Sequence, residues 1–248
     1  PPDHIEPGRI VRFPGAGKPP SNRAGWCKVF DDQQGAVFGD FITGLSESWQ
    51  ARKPRNDDEL ARWRELAQQA QAEAEAQRTE KAAKAAQTAA GKWAHATAPD
   101  TMHGYLVSKG IDPHGIRQQG EDLLIPVYSD GDLSSLQRIG PDGSKKFHPG
   151  GKIKGGYYFI GEPGETVVIA EGFATGASIN EATGHPVVIG FNAGNLRPVA
   201  ETIRAKYPDA QIIVAADDDQ GTEGTPGIQK ATEAAQAVRG YLATPDTA

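Results

Sequence analysis

The 248-residue chain has one cysteine, Cys27, which excludes an internal disulfide and any multi-cysteine zinc site and agrees with a reducing cytoplasm. Its apolar runs are only a few residues long, far short of the ~18–20 that cross a bilayer. Mean hydropathy is −0.52, so no membrane partner is expected. The chain opens Pro1-Pro2-Asp3 with neither an initiator methionine nor a basic-then-apolar leader, which reads as no secretory signal and as a piece processed or excised from something longer. A net charge of −6 argues against a basic coat for indiscriminate nucleic-acid binding but leaves room for a local basic groove. No Gly-x-x-x-x-Gly-Lys-Ser/Thr occurs, so a helicase motor is excluded within the chain. The six histidines show no pairing at ligand spacing and read as structural, with His148, beside lysines, placed to meet a phosphate.

What is present divides into four stretches. Residues 1–55 carry short alternating runs such as Gly25-Trp26-Cys27-Lys28-Val29-Phe30, punctuated by Gly and Asp, and predict a small antiparallel β unit. Five basic side chains against two acids in its first thirty residues are a modest excess that suits a nucleic acid or a solvated face. Residues 56–92 are dominated by Ala, Gln, Glu, Lys and Arg, strong helix formers. Leu60, Trp63 and Leu66 share a face, but no bulky apolar residue follows until Trp93, so the pattern predicts a long exposed helical spacer. In residues 93–164 a short helix ends near Gly110. Two Asp-Gly turns, 130–131 and 142–143, then separate apolar runs and predict a β-meander. Residues 165–248 alternate strand and helix. The β-branched runs at 166–170, 186–191 and 211–216 suit strands buried on both faces, so the fold class is α/β (α+β overall) with a doubly wound parallel sheet.

Ligands of such sheets bind beyond the carboxyl ends of the strands. There the first strand ends in Glu171-Gly172 and the third in Asp217-Asp218-Asp219. Clustered carboxylates cannot all stay ionised unaided, and oxygen-only donors suit Mg²⁺ or Mn²⁺ rather than zinc. Alternation along an extended segment lets Asp217 and Asp219 face one metal while Asp218 points aside or bridges. Gly172 permits close backbone approach, and the helix after it points free N–H groups at an anion. Asn192 faces the same crevice, and Asn195 reads as a helix cap. Taken alone, an Asp run at a strand end is most often a turn or cap; the conjunction with Glu-Gly is what carries chemistry.

That conjunction resembles the Toprim domain of bacterial-type primases, topoisomerases and some nucleases, in which a Glu and an Asp-x-Asp correspond by motif to Glu171, Asp217 and Asp219. The stretches Ile169–Ser178, Phe191–Leu196 and Ala216–Asp219, with the block from His103 through Phe147, are similar to the primases of conjugative plasmids and phages over roughly residues 93–245. The resemblance implies a catalytic core that makes RNA primers on a single-stranded DNA template from ribonucleoside triphosphates. Mg²⁺ or Mn²⁺ would be held by Glu171, Asp217, Asp218 and Asp219, with Glu171 a ligand or proton acceptor. A helicase or other replication protein or domain is the implied partner, and the cytoplasm the implied location. It also assigns one wall of the template and nucleotide groove to Arg138, Lys145, Lys146, Lys152 and Lys154, which with Asp142 give a local +4. Tyr157 and Tyr158 read as ordinary sheet residues. The alternatives are a Toprim-family nuclease using the same acids and a non-catalytic nucleic-acid-binding accessory.

Overall fold

The computed structural model describes residues 5–217 and 226–244. The chain falls into two compact units, residues 1–80 and 81–248. In the first, β1 (Ile10–Phe13), β2 (Gly25–Val29), β3 (Gly35–Asp40) and β4 (Leu45–Gln50) form an antiparallel sheet in that order, as the alternating runs predict. The helix α1 (Asp57–His95) starts where Asn56 Oδ1 accepts the Glu59 N–H at 2.8 Å, with three acids in its first turn facing the positive end of the helix dipole.

The expectation of an exposed spacer fails on α1. Ala67, Ala70 and Ala74 are buried and pack with Trp26, Phe30 and Val37 of the sheet. The residues recur at three- and four-residue intervals, so they do share a face. Their methyl groups let the helix axis approach the sheet closely, which a search for bulky side chains overlooks. The last part of α1 does the same in the second unit, where Ala89 and Trp93 pack on Leu124 and Leu136. Among the described residues no helix is long and apolar enough to cross a membrane.

The second unit continues with α2 (Gly104–Lys109), whose start is capped by His103. Its Nδ1 accepts the Tyr105 N–H and its Nε2 therefore donates to the Glu121 carbonyl, which fixes that histidine as structural. A meander of β5 (Arg117–Gln119), β6 (Asp122–Ser129), β7 (Asp132–Ile139) and β8 (Lys145–Phe147) follows. Asp130 and Gly131 both take positive φ (56° and 93°), the geometry that a two-residue hairpin turn requires.

The remaining elements are β9 (Tyr158–Ile160), β10 (Thr166–Ala170), α3 (Phe173–Thr183), β11 (Val187–Ile189), α4 (Ala193–Lys206), β12 (Gln211–Ala215), α5 (Pro226–Ala237) and β13 (Tyr241–Ala243). They build one five-stranded sheet in the order β13-β12-β10-β11-β9, parallel except for β9. The antiparallel edge strand is the one departure from an all-parallel sheet.

Central β10 is covered on both sides. Val167 and Ile169 pack with α4 and α5, while Val168 and Ala170 pack with α3 and with Leu123, Ile125 and Ile139 of the meander. Each fully buried Val or Ile side chain of this strand contributes about 1.5–3 kcal/mol, which anchors the strand that leads to Glu171. Helix α3 comes close to the sheet: a Cβ on Gly176 would lie 2.1 Å from Ile189 Cδ1, so any larger residue there would have to displace the Ile189 side chain.

Candidate active site

The register of the parallel sheet decides which side chains meet at its carboxyl edge. Ile169 of β10 lies opposite Val214 of β12, so two residues further along each strand Glu171 lies beside Ala216, and Asp217 follows at once. Adjacent strands run about 4.8 Å apart, which brings these two acids to one edge. Asp218 and Asp219, assigned to the same cluster, lie outside the described residues. Among the described residues no group of three His, Cys, Asp and Glu side chains converges as a metal site.

Asp217 is held in place by a residue that sequence reasoning missed. Thr175, in the first turn of α3, donates its hydroxyl to Asp217 Oδ1 at 3.2 Å. The signal was available as a Thr four residues after the Glu, on the helix that the Glu-Gly step introduces. Gly172 is the residue before α3 and has ordinary extended backbone (φ −99°, ψ 149°), so it is not required for its conformation. Its value is the space it leaves. A Cβ there would point toward Thr175 Oγ1 at 3.7 Å and Lys145 Nζ at 3.8 Å, in front of the free N–H groups of α3.

On the next strand, Gly190 and Phe191 donate backbone N–H groups to Ala170 and Glu171 carbonyls, both at 2.8 Å, which extends the β10–β11 pairing up to the acid. Phe191 adopts φ +71°, rare for a bulky residue, and its ring packs edge-on against Phe147 with centroids 5.9 Å apart. Asn192 follows at the start of α4 and makes no side-chain cap. Asn195 differs from the cap expected of it. It is buried, accepts the Gly155 N–H through Oδ1 at 2.7 Å and donates Nδ2 to the Gly156 and Gly190 carbonyls, both at 2.9 Å.

The five basic residues do not form one wall. Pairing of β7 with β8 sets Arg138 opposite Lys146 and Ile139 opposite Lys145, so alternation sends Lys145 to the face shared with Ile139 and Phe147. That face meets the parallel sheet, and Lys145 is the one base of the five placed beside Gly172. Arg138 and Lys146 lie on the opposite face, where Arg138 pairs with Asp122 at 3.1 Å. His148 is nearby, its imidazole pushed below the usual range by burial and then by Lys92 and Arg138, so Lys92 of α1 joins this second group. Lys152 is tied to Asp130 at 3.1 Å beside the β6–β7 turn, and Lys154 precedes the Gly155 held by Asn195. Tyr157 and Tyr158 are both buried, as sheet residues should be; burial, then Tyr128, pushes the Tyr158 phenol up to about 12.

Asp217 with the Thr175 hydroxyl beside it, Glu171 at the end of the neighbouring strand, and Lys145 and the first N–H groups of α3 close to Gly172 are an oxygen-donor set of a kind suited to a hard divalent cation carrying a phosphate ester. Residues 166–245 match the family model described as Toprim domain. The chain is 35% identical over 217 residues to a protein of Escherichia coli named DNA primase TraC, covering 82% of this chain and 20% of that protein. A second Escherichia coli protein of the same name is 38% identical over 154 residues, covering 57% of this chain and 11% of its own length. The chain thus spans a fifth or less of these relatives. A solved structure of the bacteriophage T7 lagging-strand DNA polymerase interacting with primase domains bound to an RNA/DNA hybrid and dTTP is similar at 18% identity. Its TM-score is 0.40, with 60% of this chain and 79% of that one covered.

Proposed function

We propose, from a Toprim domain at residues 166–245 joined to a basic β-meander and from the resemblance to DNA primase TraC, that this chain is the catalytic core of a plasmid-type DNA primase. What supports the reading is that Glu171 and Asp217 follow the neighbouring strands β10 and β12, and that Lys145 Nζ lies 3.8 Å from where a Cβ on Gly172 would stand. The reaction joins a primer 3′-hydroxyl to the α-phosphorus of a ribonucleoside triphosphate, and pyrophosphate leaves.

Glu171, Asp217, Asp218 and Asp219 are the residues that would hold one or two Mg²⁺ or Mn²⁺ ions, whose chemistry there is charge neutralisation on the phosphates and alignment of the two oxygens in line. Thr175 keeps the Asp217 carboxylate aimed at that edge. Lys145 and the first N–H groups of α3 balance the triphosphate charge. Glu171 serves as ligand or as acceptor of the hydroxyl proton. Arg138, Lys146 and Lys92, on the far face of the meander, suit template phosphates instead. Single-stranded DNA and ribonucleoside triphosphates are the substrates, a helicase or other replication protein is the partner, and the cytoplasm is the site of action.

The test is synthesis on a single-stranded DNA circle with labelled ribonucleotides and each cation separately. Labelled oligomers are expected, with Asp217→Asn and Glu171→Gln lowering the rate on the order of 10²-fold or more while template affinity changes less than about twofold. Shortened template would identify a nuclease. Absence of any reaction, with affinity lost in both variants, would identify an accessory protein.

A further inference from the structure

We propose that Arg12 and Arg78, held against the ring of Phe41, form a binding site for a phosphate group in the N-terminal unit, carried by a nucleic-acid strand or by a free phosphate compound. The site lies within residues 1–80 and does not rest on the primase reading, so its test needs no primer synthesis.

The sequence concentrates cations here. Residues 7–30 hold five Lys and Arg and no Asp or Glu. Two of the five are accounted for, since Arg9 pairs with Glu6 and Lys28 with Glu73. Arg12, Lys18 and Arg23 make no ion pair among the described residues. Charges withdrawn from water are normally paired, yet Arg12 is half-buried. Its Nε donates to the Arg23 carbonyl at 2.9 Å, which orients the guanidinium and leaves its charge uncompensated.

Strand register sets Arg12 opposite Trp26, on the face of the sheet that α1 covers. From α1, Arg78 reaches the same place. The guanidinium carbons of Arg12 and Arg78 lie 4.6 and 5.1 Å from the centre of the Phe41 ring, and Trp26 stacks with that ring at 5.8 Å. Two like charges thus share one ring; burial, then the Arg78 charge, pushes the Arg12 guanidinium below its usual range. Nearby acids do little to relieve this. Glu75 meets Arg78 at 3.3 Å on an exposed edge, where an ion pair adds little, and Glu73 is taken by Lys28. Asp40 alternates to the other face of the sheet, and its Oδ1 accepts the Ile42 and Thr43 N–H groups.

A bridging anion removes the repulsion. A carboxylate fills a single guanidinium fork, whereas a phosphate group has oxygens for two. The strand and the helix beneath the arginines hold both in place before the anion arrives, and the Arg78 side chain is 40% exposed, so solvent reaches the pair.

The experiment titrates fluorescent oligothymidylate, read by anisotropy, and separately inorganic phosphate, read by thermal melting, into the full chain without divalent cation or nucleotide. If a strand carries the phosphate, Arg12→Ala and Arg78→Ala each weaken oligothymidylate binding at least about fivefold at about 0.1 M salt. Each also lowers the slope of log affinity against log salt by about 0.7, and Arg78→Lys restores that slope, which a merely structural role would not move. If a free compound carries it, inorganic phosphate raises the Tm of the wild type and not of the double alanine variant, while oligothymidylate binds both alike. Either result supports the site and identifies its source. Arg52→Ala, which breaks the pair with Glu59 elsewhere in the unit, is the control and should change neither. Both probes behaving alike in the wild type and in a double variant of unchanged circular dichroism overturn the proposal. Should that variant lose its spectrum, Arg78→Gln at the exposed edge decides by the same criteria. Polyglutamate binding with the arginine dependence that both phosphate probes lack also overturns it, and would make the pair a docking point for an acidic peptide.

Discussion

Replacing Asn195 by alanine is predicted to destabilise the second unit by about 3 kcal/mol, because its amide, carried on α4, fastens the 153–156 loop to the end of β11. Three hydrogen bonds are lost: the Gly155 N–H at 2.7 Å and the Gly156 and Gly190 carbonyls at 2.9 Å. The two carbonyls are left buried without this donor, at about 1–1.5 kcal/mol each. The Gly155 N–H, nearer the surface, regains water and costs about 0.5 kcal/mol. Asn195→Asp sharpens the test. It keeps the acceptor for Gly155 but aims a carboxylate at two carbonyl oxygens, so ionisation is resisted and the new pKa is raised above its unfolded value of about 3.9. Stability of this variant is therefore retained below pH ~4 and lost as pH rises toward 7. Urea unfolding followed by circular dichroism reads both. With a slope of about 2 kcal/mol/M, Asn195→Ala moves the midpoint by about 1.5 M. A loss below 1 kcal/mol, or an aspartate variant at pH 7 no worse than the alanine one, refutes the assignment of these bonds.

Three further outcomes follow from the same structure. Lys145→Ala should lower kcat/KM for the nucleotide about tenfold or more, and Lys146→Ala less than threefold, since only Lys145 lies on the face beside Gly172; equal losses in steady-state primer synthesis would contradict the register argument. Gly176→Ala should cost about 1–3 kcal/mol in urea unfolding, because the added methyl meets Ile189 Cδ1; a neutral substitution would mean that α3 moves freely on the sheet. Burial, then Lys92 and Arg138, lowers the His148 pKa, so the unfolded chain binds its proton more readily. Its contribution is intact above the unfolded pKa of about 6.5 and is lost as pH falls below it; His148→Gln should flatten the change of Tm between pH 7.5 and 5.5, and an unchanged slope counts against it.

How much of this was legible depends on what each residue reports locally. The strands 166–170, 187–189 and 211–215 stand out because both faces of each are buried and both must be apolar. The Asp130-Gly131 turn is legible because few other pairs accept two positive φ angles in succession. The packing of α1 was not, since Ala67, Ala70 and Ala74 are equally consistent with an exposed, merely helix-favouring surface. Nor was the parting of Lys145 from Lys146: neighbours in sequence point to opposite faces of a strand, and which face meets the acids depends on how the meander docks. Asn195 looked like a cap because it is close to the start of a helix; its true partners, Gly155 and Gly156, are about forty residues away, and no local pattern announces them.

Strain at Phe191 ties these pieces together. A phenylalanine held at φ +71° costs on the order of 1–2 kcal/mol, and persists only where surrounding contacts over-determine it. Here they are identifiable. Its N–H closes on the Glu171 carbonyl at 2.8 Å, and its ring meets Phe147 of β8. Phe147 is on the same face of β8 as Lys145, two residues away. The strained backbone therefore links the strand that ends in the acid to the strand that delivers the base, and does so from a third strand whose own pairing is complete. A glycine at 191 would satisfy the backbone but drop the ring, and leave β8 with only three paired residues to set where Lys145 stands. Lys145 is thus held beside Gly172 by an apolar contact between Phe147 and Phe191, which salt does not screen.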